Sequence, residues 1–288
     1  MILVQQPTIT SPIKDWVYVN PTAATGGDFR LAIWGEQNQL VPRKSQLLNK
    51  VLGMNGPVGE NYQVTTTKWP CGTGIQINGD TIGINLHSPT IKNKNLPVGT
   101  TLRTITVNGR VTTKKLYAFR DNQTLTSSIH LKVNRATVFG GATAQVVSWI
   151  YLKDMVANAG LWCGMNVFDR RDIPADNVGW DKGTNTAMAT SLAGDYNSIF
   201  AIPGNSNSIQ HKSYNDFRYY EFTVGGKELT NRIQKLKSKF PDSKHTTDPN
   251  NYVVTGIILN PEMYIPPNNR FAYSHLSLSF KDFKLEQN

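Results

Sequence analysis

Arg218-Tyr219-Tyr220-Glu221-Phe222-Thr223-Val224 opens the passage that decides the fold, which runs from Phe217 to Leu285. Its apolar and polar residues alternate as in a half-buried strand. Gly225-Gly226 interrupts the alternation. From Glu228 to Phe240 the period changes: Leu229, Ile233, Leu236 and Phe240 fall on one helical face, with Lys235, Lys237 and Lys239 outside it. Pro241 stops the helix. Tyr252-Val253-Val254-Thr255-Gly256-Ile257-Ile258-Leu259 is a β-branched run of the kind found in a buried strand, and His275 to Leu285 alternates almost strictly. Strand, amphipathic helix, strand and strand in this order predict a β-sandwich with one helix packed on its side.

Working outward, the strand pattern dominates. Thr143-Ala144-Gln145-Val146-Val147-Ser148-Trp149-Ile150-Tyr151-Leu152 is apolar on both faces and so belongs at the centre of a sheet. Ser127–Val133 and Gly160–Phe168 are further long strands. Gly74–Asp80 and Thr81–Leu86 alternate about Asn78-Gly79-Asp80, a tight hairpin signal. Asn108-Gly109, between Thr101–Val107 and Arg110–Lys114, repeats it. Phe29–Trp34 is the first strong strand, and Trp16–Val19 a weaker one before it. Ser45 is placed to cap a short helix through Leu47, Leu48, Val51 and Leu52. Residues 169–216 are rich in Gly, Asn, Asp and Ser and read as a long loop with one short strand at Ser198–Ile202. Many short strands and only two short helices predict an all-β antiparallel jelly roll. Residues 1–28 are expected as an N-terminal extension and 29–288 as a single domain.

The chain has 288 residues, of which 39% are hydrophobic and 17% charged, enough to bury a core without disulfides. Of the two cysteines, Cys71 and Cys163, neither lies in a metal-ligand spacing, and free buried thiols are expected, with one bridge the alternative. The formal net charge of +10 is scattered and includes no arginine-rich arm, so nucleic acid is not an expected partner. Charge of this kind either serves solubility alone or helps dock an acidic polysaccharide. Met1–Pro7 has neither the basic start nor the apolar run of a signal peptide, and no run reaches the length of a membrane span, so a soluble protein without membrane insertion is expected.

Glycine-rich phosphate loops, GxSxG and HExxH motifs are absent, and the five histidines stand apart in sequence. What remains points to sugars, whose rings offer an apolar face to aromatics and a rim of hydroxyls to amides and carboxylates. Trp34, Trp149 and Trp162 lie inside strands, where core packing also accounts for them. Trp180, in Asn177-Val178-Gly179-Trp180-Asp181, reads as a ligand or partner contact on a loop. Glycosidases need two carboxylates about one bond, and Glu36, Asp154, Asp169, Glu221 and Glu262 are the candidates; a lyase could draw on Tyr219, Tyr220, His211, Arg170 and Arg171. Asp169, Asp172, Asp176, Asp181 and Asn185 could supply oxygens to a Ca²⁺ ion, although no cofactor is required.

The passage from Phe217 to Phe283 resembles the closing segment of concanavalin A-like jelly rolls, and of glycoside hydrolase family twelve in particular. Val254-Thr255-Gly256-Ile257-Ile258-Leu259-Asn260-Pro261-Glu262-Met263-Tyr264 is similar to the family's turn that carries its general acid, which the resemblance would assign to Glu262. The family's nucleophile is a glutamate four residues before a tryptophan. Gln145-Val146-Val147-Ser148-Trp149 keeps that spacing with an amide, which cannot form a glycosyl ester. The expectation is a non-enzymatic jelly-roll protein of a virion (a phage capsid or tail) or an extracellular surface. It would be oligomeric with like or other virion subunits and bind a polysaccharide or cell-surface glycan through Trp180, Asp181, Gln145, Trp149, Glu262 and Tyr264. The alternative is a glycoside hydrolase or lyase of the same fold, with Glu262 catalytic.

Overall fold

The computed structural model describes residues 1–6, 18–22, 27–35, 61–65, 74–78, 80–87, 101–111, 116–169, 176–181, 185–192, 216–266, 269 and 272–288. The short helix expected from Ser45 and the strand at 198–202 lie outside these residues, as do Cys71, Glu36, Arg170, Arg171, Asp172 and His211.

Two sheets face each other as a β-sandwich of the jelly-roll class read from the sequence. One sheet holds β14 (Arg218–Gly225), β9 (Thr124–Phe139), β16 (Tyr273–Gln287), β6 (Thr81–His87), β5 (Gly74–Asn78) and β4 (Asn61–Thr65) in that order, with β1 (Ile2–Gln5) also paired to β16. The other runs β12 (Asp176–Asp181), β13 (Thr186–Leu192), β11 (Ala159–Asp169), β10 (Thr143–Asp154), β15 (Tyr252–Ile265), β7 (Thr101–Val111), β3 (Gly27–Gly35) and β2 (Tyr18–Thr22), with β8 (Leu116–Tyr117) on β15. All pairs are antiparallel except β11 with β13, which is parallel. The segment expected as an extension supplies β1 and β2 to the two sheets.

Alternation sets what lies between the sheets. Ile129, Leu131 and Val133 of β9 and Leu278, Phe280, Phe283 and Leu285 of β16 meet Val146, Ile150 and Leu152 of β10 and Ile257, Leu259 and Met263 of β15 in one core. β10 has β11 on one side and β15 on the other, the central place its two apolar faces predict. The helix α1 (Gly226–Lys239) follows β14 directly and packs beside β12 and β13. Leu229, Ile233 and Leu236 are buried as the periodicity requires, and Arg232 is buried with them. Cys163 is a free buried thiol, and burial pushes it up to about 12 against the opposing pull of the Arg232 charge.

Two sequence expectations are corrected. Asn108-Gly109 is not a turn: β7 passes straight through it, with Asn108 opposite Ile258 and Gly109 opposite Ile257. The glycine is there for close approach. A Cβ on Gly109 would meet Ile257 Cγ1 at 2.9 Å, and one on Gly256 would stand 2.3 Å from the Gly109 carbonyl oxygen. The supposed long loop after Asp169 contains β12 and β13, so Trp180 belongs to a strand.

Gly256→Ala should therefore lower unfolding free energy by about 3 kcal/mol, because the added methyl meets backbone that cannot rotate away. Gly179→Ala meets only the mobile end of Met188 at 3.3 Å. Denaturant titration of both variants should find the first much less stable than the second; equal stabilities would contradict the close-approach account.

Candidate functional site

The face of the nine-stranded sheet that points away from the core gathers most of the polar and aromatic candidates. Along β10, Ala144, Val146, Ile150 and Leu152 belong to the core cluster, and Ser148 Oγ meets Ser127 Oγ of the facing sheet at 3.5 Å. Gln145, Val147, Trp149 and Tyr151 therefore point outward. Pairing extends the face sideways into rows. Gln145 stands between Glu262 of β15 and Asp169 of β11; Val147 between Asn260 and Asn166; Trp149 between Ile258 and Gly164; Tyr151 between Gly256 and Trp162. Beyond Glu262 the first row continues through the backbone positions of Thr104 and Trp34.

A bulge makes the first row what it is. Without it, Phe168 would oppose Gln145. The register of β10 against β11 shifts between Val146 and Val147, so Val146 meets Phe168, Val147 meets Asn166, and Val167 is the extra residue. The shift sends Phe168 into the core and brings Asp169 beside Gln145. Glu262 accepts a hydrogen bond from Gln145 Nε2 and another from Asn260 Nδ2 at 3.4 Å. Tyr264, opposite Thr143, is half-buried on the same face.

Aromatic rings extend the face along the strands. Trp149 and Trp162 have ring centroids 5.5 Å apart at 50°, and Tyr151 stands edge-on to Trp162 at 6.2 Å. Glycines on β11 give these rings room: a Cβ on Gly164 would lie 2.3 Å from Trp149 Cε3, and one on Gly160 2.7 Å from the Tyr151 hydroxyl. Trp149 and Val147 are buried yet stand outside the core cluster.

Trp180 is not brought to this face. Its row runs through Ala187 and Leu161, both core residues, and it packs edge-on to His245 at 6.1 Å. Its Nε1 donates to Asn185 Oδ1 at 3.1 Å. Asp181, opposite Thr186, lies at the same end of the sheet. Of the residues considered for Ca²⁺, Asp169 stands with Gln145 and Asn185 with Trp180, and among the described residues no group of three acidic, histidine or cysteine side chains could hold a metal. Glu221 lies on the outer face of the other sheet, where it accepts the Tyr219 hydroxyl. No helix among the described residues is long and apolar enough to cross a membrane.

Asp154 has a structural task that its sequence position did not suggest. Its Oδ1 accepts the N–H groups of Val156 and Ala157, and its Oδ2 accepts the Thr246 N–H at 2.7 Å and hydroxyl at 2.9 Å. Burial pushes this carboxyl up, but the hydrogen bonds from Ala157, Thr246 and Val156 outweigh it and hold the group below its ordinary value. Next to it His245 Nε2 donates to the Gly160 carbonyl at 2.9 Å, so a neutral ring presents Nδ1 to Ser243 Oγ at 3.0 Å as an acceptor. Burial pulls the imidazole below its usual value despite the Gly160 carbonyl and Asp154.

No protein-family model matches the sequence, and no curated protein matches it. Similar solved structures include the family 12 xyloglucanase from Bacillus licheniformis in complex with ligand, 10% identical over 99% of this chain and 98% of that one, with a TM-score of 0.40. The family 11 xylanase from Neocallimastix patriciarum is 7% identical over 91% and 92%, with a TM-score of 0.38. The xyloglucanase domain of NopAA, a type three effector from Sinorhizobium fredii in complex with cellobiose, is 12% identical over 81% and 95%, with a TM-score of 0.34. The sandwich is defined by the pairing of its own strands.

The latch around Asp154 and His245 yields a pH prediction. With the folded imidazole below its unfolded value of 6.5, the unfolded chain takes up the proton first. Stability is full above that pH and falls as pH drops below it, by up to about 1.4 kcal/mol per unit. Asp154 adds a second loss only below its unfolded value of 3.8, as pH falls through the folded one. Between pH 7.5 and 5 the wild type should lose more unfolding free energy than His245→Gln; equal losses would remove His245 as the cause.

Proposed function

We propose that the outer face of the nine-stranded sheet binds a glycan without cleaving it by the retaining route. The observation that carries this reading is the side-chain contact between Gln145 and Glu262, cross-strand partners on a face that also bears Trp149, Tyr151, Trp162, Asn166 and Asn260. Amide and carboxylate together offer donors and acceptors to sugar hydroxyls, and the rings offer apolar area. The Gln145 amide and the Glu262 carboxylate touch, closer than the roughly 5–5.5 Å that separates the two carboxyl groups of a double displacement. An amide at 145 cannot serve as the nucleophile there. Carboxylates at 169 and 262 disfavour uronate at this row, so an acidic polysaccharide would have to be met by basic residues elsewhere. A virion or extracellular surface, where glycans are encountered, is part of the same proposal.

A second reading draws on the place of Asp169. It and Glu262 flank Gln145 two strands apart, about 10 Å between backbones, close to the upper separation for a single displacement by water. Any cleavage by this chain would then invert the anomeric centre and need both carboxylates.

A glycan array and a depolymerisation screen of the purified protein test both readings. The first predicts saturable binding without product, weakened roughly tenfold by Glu262→Gln as a charge-assisted hydrogen bond is lost. Product formation, abolished by either Glu262→Gln or Asp169→Asn while sugar affinity persists, would replace it with the second. Failure to bind any glycan would reject both.

A further inference from the structure

Two polar atoms on the outer face are buried and make no hydrogen bond: the Trp149 indole Nε1 and the Asn166 carbonyl Oδ1. Each residue is only 5% exposed. They are diagonal neighbours on adjacent strands, since Asn166 opposes Val147 and Trp149 opposes Gly164. One is a donor and the other an acceptor. Leaving such a group unsatisfied costs about 1–3 kcal/mol, and buried polar groups in folded proteins are nearly always paired.

A hydroxyl, whether of water or of a ligand, serves both, because it accepts one hydrogen bond and donates another. A carboxylate could only accept, an ammonium only donate, and a methyl ether only accept. The rings fix the geometry. Trp149 lies over Gly164, where no side chain of any size fits, and Trp162 leans on it at 5.5 Å. Gln145 and Glu262 lie further along the same face, about 7 Å per row of the strand.

We infer that Trp149 and Asn166 together hold one hydroxyl of a saccharide bound along this face, the indole donating to its oxygen and the amide carbonyl accepting its proton. This rests on the glycan reading of the face and adds to it a subsite apart from Gln145 and Glu262. Both atoms are closed to water in the ligand-free chain, so the side chains around them must shift to admit the sugar, and Trp162, 5.5 Å from Trp149, is the neighbour placed to do so at the indole. The subsite recognises a free hydroxyl and rejects the same sugar once that hydroxyl is capped.

The test is a titration of the full chain with cellotetraose and with methyl-capped cellotetraose, followed by the indole N–H resonances and assigned with Trp149→Phe. Cellotetraose should move the Trp149 Nε1–H signal downfield and displace that of Trp162. The capped sugar should bind about tenfold more weakly, and Asn166→Leu should erase the difference between the two. Saturable binding that shifts the Gln145 side-chain amide while the Trp149 signal stays still would overturn the subsite and leave the glycan reading standing. Equal affinity for capped and free sugar would do the same. If no resonance moves with either sugar, the subsite fails as a holder of this sugar, and the glycan reading stands or falls with the glycan array. The Trp149 signal is read in the wild-type protein, and Asn166→Leu gives an independent check if Trp149→Phe does not fold.

Discussion

The register of β10 against β15 is the constraint on which the rest depends. Side chains alternate with a period of two, so a slip of one residue would exchange the core set for the outward set along the whole strand. On its other side β15 is held close to β7, because Gly109 and Gly256 carry no side chain. The register shift between Tyr151 and Leu152 leaves Thr255 outside the ladder, and its hydroxyl donates to the Tyr151 carbonyl at 3.0 Å. With the register fixed, Ile257, Leu259 and Met263 face the opposite sheet, and Asn260 and Glu262 face outward beside Val147 and Gln145.

Much of the fold was legible because long strands carry their burial in their pattern. Thr143–Leu152 reads as central and is; Phe217 to Leu285 reads as strand, helix, strand, strand and folds so. The errors came where a residue type has two uses. Asn-Gly signals a hairpin at Asn78, and there β5 and β6 do close on Asn78 and Thr81. The same pair at Asn108 serves backbone approach inside a strand, and only the neighbouring β15 decides between them. Asn177–Asp181 lacks strand propensity, and its strand is made by pairing with β13 rather than by its own composition.

The site was legible one residue at a time and not as an arrangement. Gln145, Trp149, Glu262 and Tyr264 were singled out from motif and type, and the pairing of β10 with β15 brings them to one face. Asp169 could not be paired with Gln145 from sequence, because a bulge at Val167 decides which of Phe168 and Asp169 turns outward. Trp180 shows the converse. Its polar neighbours suggested a loop, but its row of partners is the core row, and its indole is already bonded to Asn185. Arg232, a charge on the apolar face of α1, had no sequence signal at all.

β1 and β16 are separated by nearly the whole sequence, yet they lie side by side, with the Met1 ammonium donating to the Gln287 carbonyl at 2.6 Å. β16 is also the strand that joins β9 to β6. As the chain leaves the ribosome, β9 and β6 must wait, with the edges that β16 will pair still open, for a partner made more than a hundred residues later. Assembly of that sheet is therefore a late, long-range event, slow by its topology and exposed to wrong pairing in the interval.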